Sequence, residues 1–173
     1  VKTNHRGSPF RSFIYAKKYV KTPNILFMHS DVYALNSNAV CELFKGLILH
    51  PEAPFSVPQL YEMSENEIMI PHGHHRNLHT MGENIGYDFD WSLLTQRKSE
   101  DCDIHGYPQM DFMEDHVFMG WKNTFHEFID PHASFTMEYI DTILEMRSKN
   151  TTPWYVPTSQ FLFNVDTRRI SWH

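Results

Sequence analysis

Long apolar runs are missing from this chain. Nowhere do about 18 apolar residues follow one another, so no stretch has the length that a membrane-crossing helix needs. The amino-terminal residues lack the charged-then-apolar pattern of a secretory leader. Cysteine is scarce: Cys41 and Cys102 are the whole supply, which excludes a disulfide framework. Basic charge is also short, with 15 Lys and Arg against 21 Asp and Glu and no basic run. That balance argues against a general nucleic-acid binder. No internal repeat and no low-complexity linker interrupts the chain. It starts at Val1 rather than Met, the expectation for a fragment or a processed form, and the compartment stays open.

What is present is core-forming material. Of 173 residues, 41 % are apolar and 14 % aromatic, enough for one folded domain over 1–173. Twelve histidines are several times the usual supply and invite a metal hypothesis. Asn150-Thr151-Thr152 matches the glycosylation sequon, a match short enough to arise by chance.

Periodicity lays out the elements. Phe10, Phe13, Ile14 and Val20 predict a helix over 10–20, closed by Thr22-Pro23. Asn24 to His29 is a short unbroken apolar run, the pattern of a strand buried on both faces in a parallel sheet. Asn36 or Ser37 is placed to cap a helix reaching Leu49. Its pairs Ala39/Val40, Leu43/Phe44 and Leu47/Ile48 predict one apolar stripe against the sheet, with Cys41 in the core. Phe55 to Leu60 reads as a strand near an edge, because Pro58 cannot donate to a ladder. Glu67 to Ile70 is a weaker strand. Residues 71–109 have little periodicity and read as a binding loop or lid, with a helical piece over Trp91–Gln96. Met110 to Met113 looks like a strand, followed by a helix over 114–126 with Glu114 and Asp115 at its positive end. A short strand over Phe128–His132, a helix over 136–148 and an extended tail from Pro153 complete the reading.

Three motifs in this order carry a resemblance. Asn4-His5-Arg6-Gly7 with Arg11-Ser12 looks like a turn leading into an Arg-Asn helix start, with Ser12 in place of Asn. Phe27-Met28-His29-Ser30-Asp31-Val32 looks like an Asp-x-Asp signature at a strand end, with His as first member. Met113-Glu114-Asp115-His116 looks like a Glu-Asp pair opening an acceptor-side helix. Together they resemble nucleotide-sugar-dependent glycosyltransferases of the GT-A type, family 2-like, in a branch with His-x-Asp. The resemblance spans about residues 4 to 132. It implies an α/β fold, a Rossmann-type mixed sheet flanked by helices. The family's first strand and its helix, which hold the nucleotide base, would precede Val1.

The resemblance also implies a chemistry. A nucleoside diphosphate leaves during sugar transfer, and Mn²⁺ or Mg²⁺ bridging its phosphates stabilises that departure. Asp31 is the first metal candidate. His29, two residues earlier on an extended strand, would point to the same side. His132 matches a late His that contacts metal or phosphate in some members. Asp115 matches the base that takes the acceptor hydroxyl's proton, with Glu114 positioning the acceptor. Arg6, Gly7 and Arg11 are the candidates for the donor phosphates. The partners implied are a nucleotide-sugar donor and a carbohydrate or glycoconjugate acceptor. Trp91, Trp121 and Trp154 offer flat apolar faces to a sugar.

Each candidate also has a plain structural role: Asp31 as a turn cap, Asp115 as a helix cap, the tryptophans as core. Two other functions compete. His75 and His79, four apart, would share a face if helical and, with His72 and His74, hold zinc in a hydrolase or a structural clip. The stretch His75-Arg76-Asn77-Leu78-His79 lacks the Glu of a zinc protease. A non-catalytic carbohydrate-binding domain on the same fold is the other alternative.

Overall fold

The computed structural model describes residues 9–63, 69–72, 76–81, 84–89, 116–130, 132 and 138–163. Helix α1 (Pro9–Ala16) runs into a 3-10 turn (Lys17–Tyr19) and is followed by β1 (Asn24–Met28) and β2 (Val32–Ala34). Then come α2 (Ala39–Leu49), β3 (Phe55–Met63), β4 (Met69–His72), β5 (Arg76–Met81) and β6 (Asn84–Phe89). The chain continues with β7 (Val117–Trp121), α3 (Lys122–Phe128), α4 (Glu138–Ser148) and β8 (Trp154–Phe163). Six strands form one mixed sheet in the order β1-β7-β3-β8-β2, with β4 also on β3; β5 and β6 make a separate hairpin. Among the described strands only β3 and β8 run parallel.

Alternation along the strands sorts their side chains onto two faces. On one face Ile25, Phe27, Phe55, Val57, Phe118 and Tyr155 meet Phe10 and Phe13 of α1, Phe125 and Phe128 of α3, and Ile140, Ile143 and Met146 of α4. On the other, Val117, Met119, Leu60, Trp154, Val156 and Phe161 meet Ala39, Leu43 and Leu47 of α2. The result is a mixed sheet between helical layers. Each fully buried Leu or Phe contributes roughly 1.5–3 kcal/mol, so these two aromatic-rich faces dominate stability. Two glycines set the closest approaches. A Cβ on Gly46 would lie 2.6 Å from Val156 Cγ2, and one on Gly120 would lie 2.6 Å from Phe55 Cδ1.

Several sequence expectations are corrected. β1 is antiparallel to β7, lies at the end of the strand order and alternates buried Ile25 and Phe27 with less covered neighbours. β3 is central rather than peripheral. Its Pro58 sits where the β3–β8 register shifts: Pro58 pairs with Val156 and Gln59 with Gln160. The extra residues Pro157, Thr158 and Ser159 bulge from β8, so a proline costs no ladder there. The bulge serves α2 instead. Ser159 Oγ donates to Ala39 O at 2.7 Å and Thr158 Oγ1 to Glu42 Oε2 at 3.0 Å.

The helix expected over 114–126 divides within the described part. Val117–Trp121 is strand β7, buried on both faces, and the helix proper is Lys122–Phe128. Phe128 ends that helix, so no strand starts there. α2 starts at Ala39 with Asn38 as its cap residue, and it buries only one member of each apolar pair. Val40, Phe44 and Ile48 are exposed, and so is Cys41. The tail expected to lie along the body is β8, a long strand between β3 and β2. The irregular segment contains β4 and the β5–β6 hairpin. The expected pieces at 91–96 and 110–113 lie outside the described residues.

Candidate functional site

β1 stops at Met28, and the next residues turn. Val32 N–H donates to His29 O at 3.3 Å, closing His29-Ser30-Asp31-Val32 into a tight turn. His29 and Asp31 therefore share a turn at the carboxyl end of β1 rather than one face of a strand, and both are half-buried. Ladders fix the turn at each end. Met28 pairs with Val117, and Val32 pairs with Phe163.

The β1–β7 register continues one step past the strand. Asn24 opposes Trp121 and Met28 opposes Val117, so His29 comes opposite His116. His29 N–H donates to His116 O at 2.9 Å. Residues directly opposite in an antiparallel pair project to the same face. The two imidazole ring centres accordingly lie 5.1 Å apart at an interplanar angle of 57°. Phe27 meets the His29 ring edge at 5.6 Å, and Phe163 lies 3.9 Å from the His116 ring. Three remote segments of sequence thus converge on one corner of the sheet.

His116 is the neighbour of His29 that sequence reading missed. Reading 114–126 as a helix put it on a turn unrelated to His29. Pairing Val117–Trp121 with Asn24–Met28 as antiparallel strands would have found it.

The other candidates fall elsewhere. His132 is exposed, its backbone N–H donating to Asp130 Oδ1 at 2.8 Å. Among the described residues no group of three or more His, Cys, Asp or Glu gathers to hold a metal, so His132 is not brought to His29 and Asp31. Arg11 lies in the first turn of α1. Arg6, Gly7, Glu114 and Asp115 lie outside the described residues, as do His74, His75 and Trp91. His79 is on strand β5, where it pairs with Gly86, so the i, i+4 helical face required for the zinc alternative does not form. Trp154 is a core residue, stacked on His50 at 3.4 Å. Trp121 is half-buried beside the α2 face of the sheet. A groove of about 510 Å³ beside Arg147, Lys149, Asn150 and Trp154 adjoins the start of β8. The His29 turn is near the other end of that strand, at Phe163.

The fold of this chain is similar to a solved one. The crystal structure of GalNAc-T7 with UDP, GalNAc and Mn²⁺ matches with a TM-score of 0.68 at 12 % identity, covering 95 % of this chain. The fold is GT-A-like. The chain spans only 32 % of the length of that protein. No protein-family model and no curated protein matches the chain by sequence. The likeness at this identity is one of fold.

Proposed function

We propose that this chain is the catalytic portion of a glycosyltransferase that moves a sugar from a nucleoside-diphosphate donor to an acceptor hydroxyl with divalent-metal help. The observation that carries the reading is the turn holding His29 and Asp31 at the end of β1 in a GT-A-like sheet. The donor set fits a nucleotide-bound ion. Asp31 would offer it an oxygen ligand and His29 a nitrogen ligand. When bound, such an ion neutralises the charge that builds on the leaving diphosphate.

The remaining roles belong to the chain itself. Asp115 takes the proton from the acceptor hydroxyl as that oxygen attacks, and Glu114 orients the acceptor. Both immediately precede His116, whose carbonyl is bonded to His29, and this continuity supports placing them at the same corner. Arg6 and Arg11 bind phosphate oxygens as bidentate donors, with Gly7 permitting close backbone approach. The donor is a nucleotide sugar and the acceptor a carbohydrate or glycoconjugate.

The test is thermal-shift or calorimetric binding of UDP, GDP, dTDP and CMP, each with Mn²⁺ or Mg²⁺. A rise in melting temperature that needs both nucleotide and metal supports the reading and names the donor class. No response to any pair overturns it for this chain and favours a GT-A-like domain retained for carbohydrate binding.

A further inference from the structure

We propose that the groove at the amino-terminal end of β1 binds an anionic saccharide, a sugar chain bearing sulfate or carboxylate groups. Trp121 lies under a sugar ring, and Lys21 and Lys122 meet its charges. The site stands apart from the transferase reading. It is at the opposite end of β1 from the His29 turn, roughly 17 Å away for five residues rising about 3.3 Å each.

Shape is the first support. Lys21, Thr22 and Pro23 lead into β1, while Trp121, Lys122 and Asn123 carry the chain from β7 into α3. These residues line a groove of about 500 Å³, a volume within the range of small-ligand sites. Two hydrogen bonds tie its walls together: Lys122 N–H donates to Pro23 O at 2.8 Å, and Lys122 Nζ to Val20 O at 2.6 Å. The second uses one of three ammonium protons and fixes the charge in place, leaving two for a ligand.

Charge is the second support. Lys17 stands beside the groove, its Nζ bonded to His126 Nδ1 at 2.5 Å. Burial and then the charges of Lys17 and Lys122 lower the His126 pKa, so the ammonium groups act on one small region. Among the described residues no carboxylate pairs with Lys17, Lys18, Lys21 or Lys122; the described lysine ion pairs belong to Lys45 and Lys149. Clustered, uncompensated lysines on a chain of net charge −6 form a local field that attracts an anion.

The lining then selects the ligand class. Trp121 is half-buried, held by sheet packing with part of its indole left open, and an indole face suits the C–H side of a sugar ring. Asn123 is exposed, and its amide has no partner among the described residues. Thr22 Oγ1 donates to Asn24 O at 2.9 Å and keeps acceptor capacity for a sugar hydroxyl. One aromatic face, one amide, one hydroxyl and two ammonium groups match a saccharide that carries anionic groups. A long nucleic acid fits poorly, because the acidic remainder of the chain repels it.

The experiment is calorimetry of the chain, without nucleotide or added metal, against a sulfated heparin tetrasaccharide and neutral maltotetraose. Lys21→Glu and Lys45→Glu change the net charge equally, and both positions are exposed. Lys45 is on α2 and does not line the groove. The expected result is saturable binding of the sulfated sugar, at least tenfold tighter than of maltotetraose and weakened by salt. Lys21→Glu should weaken it at least tenfold and Lys45→Glu by no more than about twofold, each with a parent-like circular-dichroism spectrum. In the parent, the indole N–H NMR signal of Trp121 should shift before those of the other three tryptophans.

No saturable binding, equal losses in the two Glu variants, or a first shift at another tryptophan each overturns the proposal. Lys21-dependent capture by phosphatidylserine vesicles without saccharide binding also overturns it and assigns the patch to a membrane surface. The nucleotide panel separates the two sites. A nucleotide–metal response retained in Lys21→Glu supports a separate groove, whereas its loss there makes the groove part of the donor site and overturns the inference. Saccharide binding in a parent that answers no nucleotide sinks the transferase reading alone.

Discussion

Asp31 is half-buried on a turn whose two ends are held by ladder pairs, and it belongs to neither hydrophobic cluster. Removing its carboxylate should leave the fold standing, because surface turn positions away from packed cores usually change stability by less than about 0.5 kcal/mol. Asp31→Ala is therefore expected to melt within a degree or two of the parent and to lose metal-dependent nucleotide binding in the same thermal-shift series. A variant that unfolds would instead make Asp31 a turn cap. A different carboxylate works against the fold. Asp141 on α4 has its pKa raised by partial burial, then by repulsion from Asp130 and Glu145. The unfolded chain ionises this group at lower pH than the native one does, so its penalty grows as pH rises through the carboxylate range. Asp141→Asn should raise the melting temperature at neutral pH, and the gain should vanish by about pH 3, where both states hold the proton. A gain that persists in acid would point to packing rather than charge.

At the scale of elements, α2 is held against the sheet by a glycine. A Cβ on Gly46 would press on Val156 Cγ2 of β8, a branched core side chain with little room to turn. Helix propensity favours alanine there by up to about 1 kcal/mol, but overpacking a tight core costs roughly 1–3 kcal/mol. Gly46→Ala should therefore be destabilising by urea denaturation, and much less so, or even stabilising, when introduced into Val156→Ala. Equal costs in both backgrounds would dissociate Gly46 from β8. Legibility at this scale followed the environment of each element. α1, α2 and α4 were readable because a helix facing a core on one side shows its period. β7 was not, since a strand covered on both faces has no alternation, and Val117, Phe118, Trp121 and Phe125 happen to recur at helical spacing. β3 was misplaced because the effect of Pro58 depends on a bulge in β8, a hundred residues away in sequence. The His29–Asp31 turn was legible as a local motif, whereas His116 depended on a cross-strand register that no local pattern records.

On the scale of the whole molecule, the two hydrophobic clusters are opposite faces of one sheet, and strands β1, β3, β7 and β8 contribute to both. Neither helical layer can leave without uncovering strands that the other layer also needs, so the described core should unfold as one cooperative unit. Phe125 lies under α3 and Leu43 under α2, both fully buried. Phe125→Ala and Leu43→Ala should each cost about 2–5 kcal/mol. Each should shift the circular-dichroism and tryptophan-fluorescence transitions together, even though Trp154 reports from the Leu43 side. Separate midpoints in the Phe125 variant would show that the layers are thermodynamically independent. The candidate site belongs to the same unit, because the His29 turn is tied to β7 at one end and to β8 at the other. A nucleotide–metal pair at about 100 times its Kd should then add roughly 2.7 kcal/mol to the whole transition, a rise of about 5–10 °C in a chain of this size. Both probes should move by that amount. Stabilisation confined to one probe would mean that the turn binds its ligand without being coupled to the sheet beneath it.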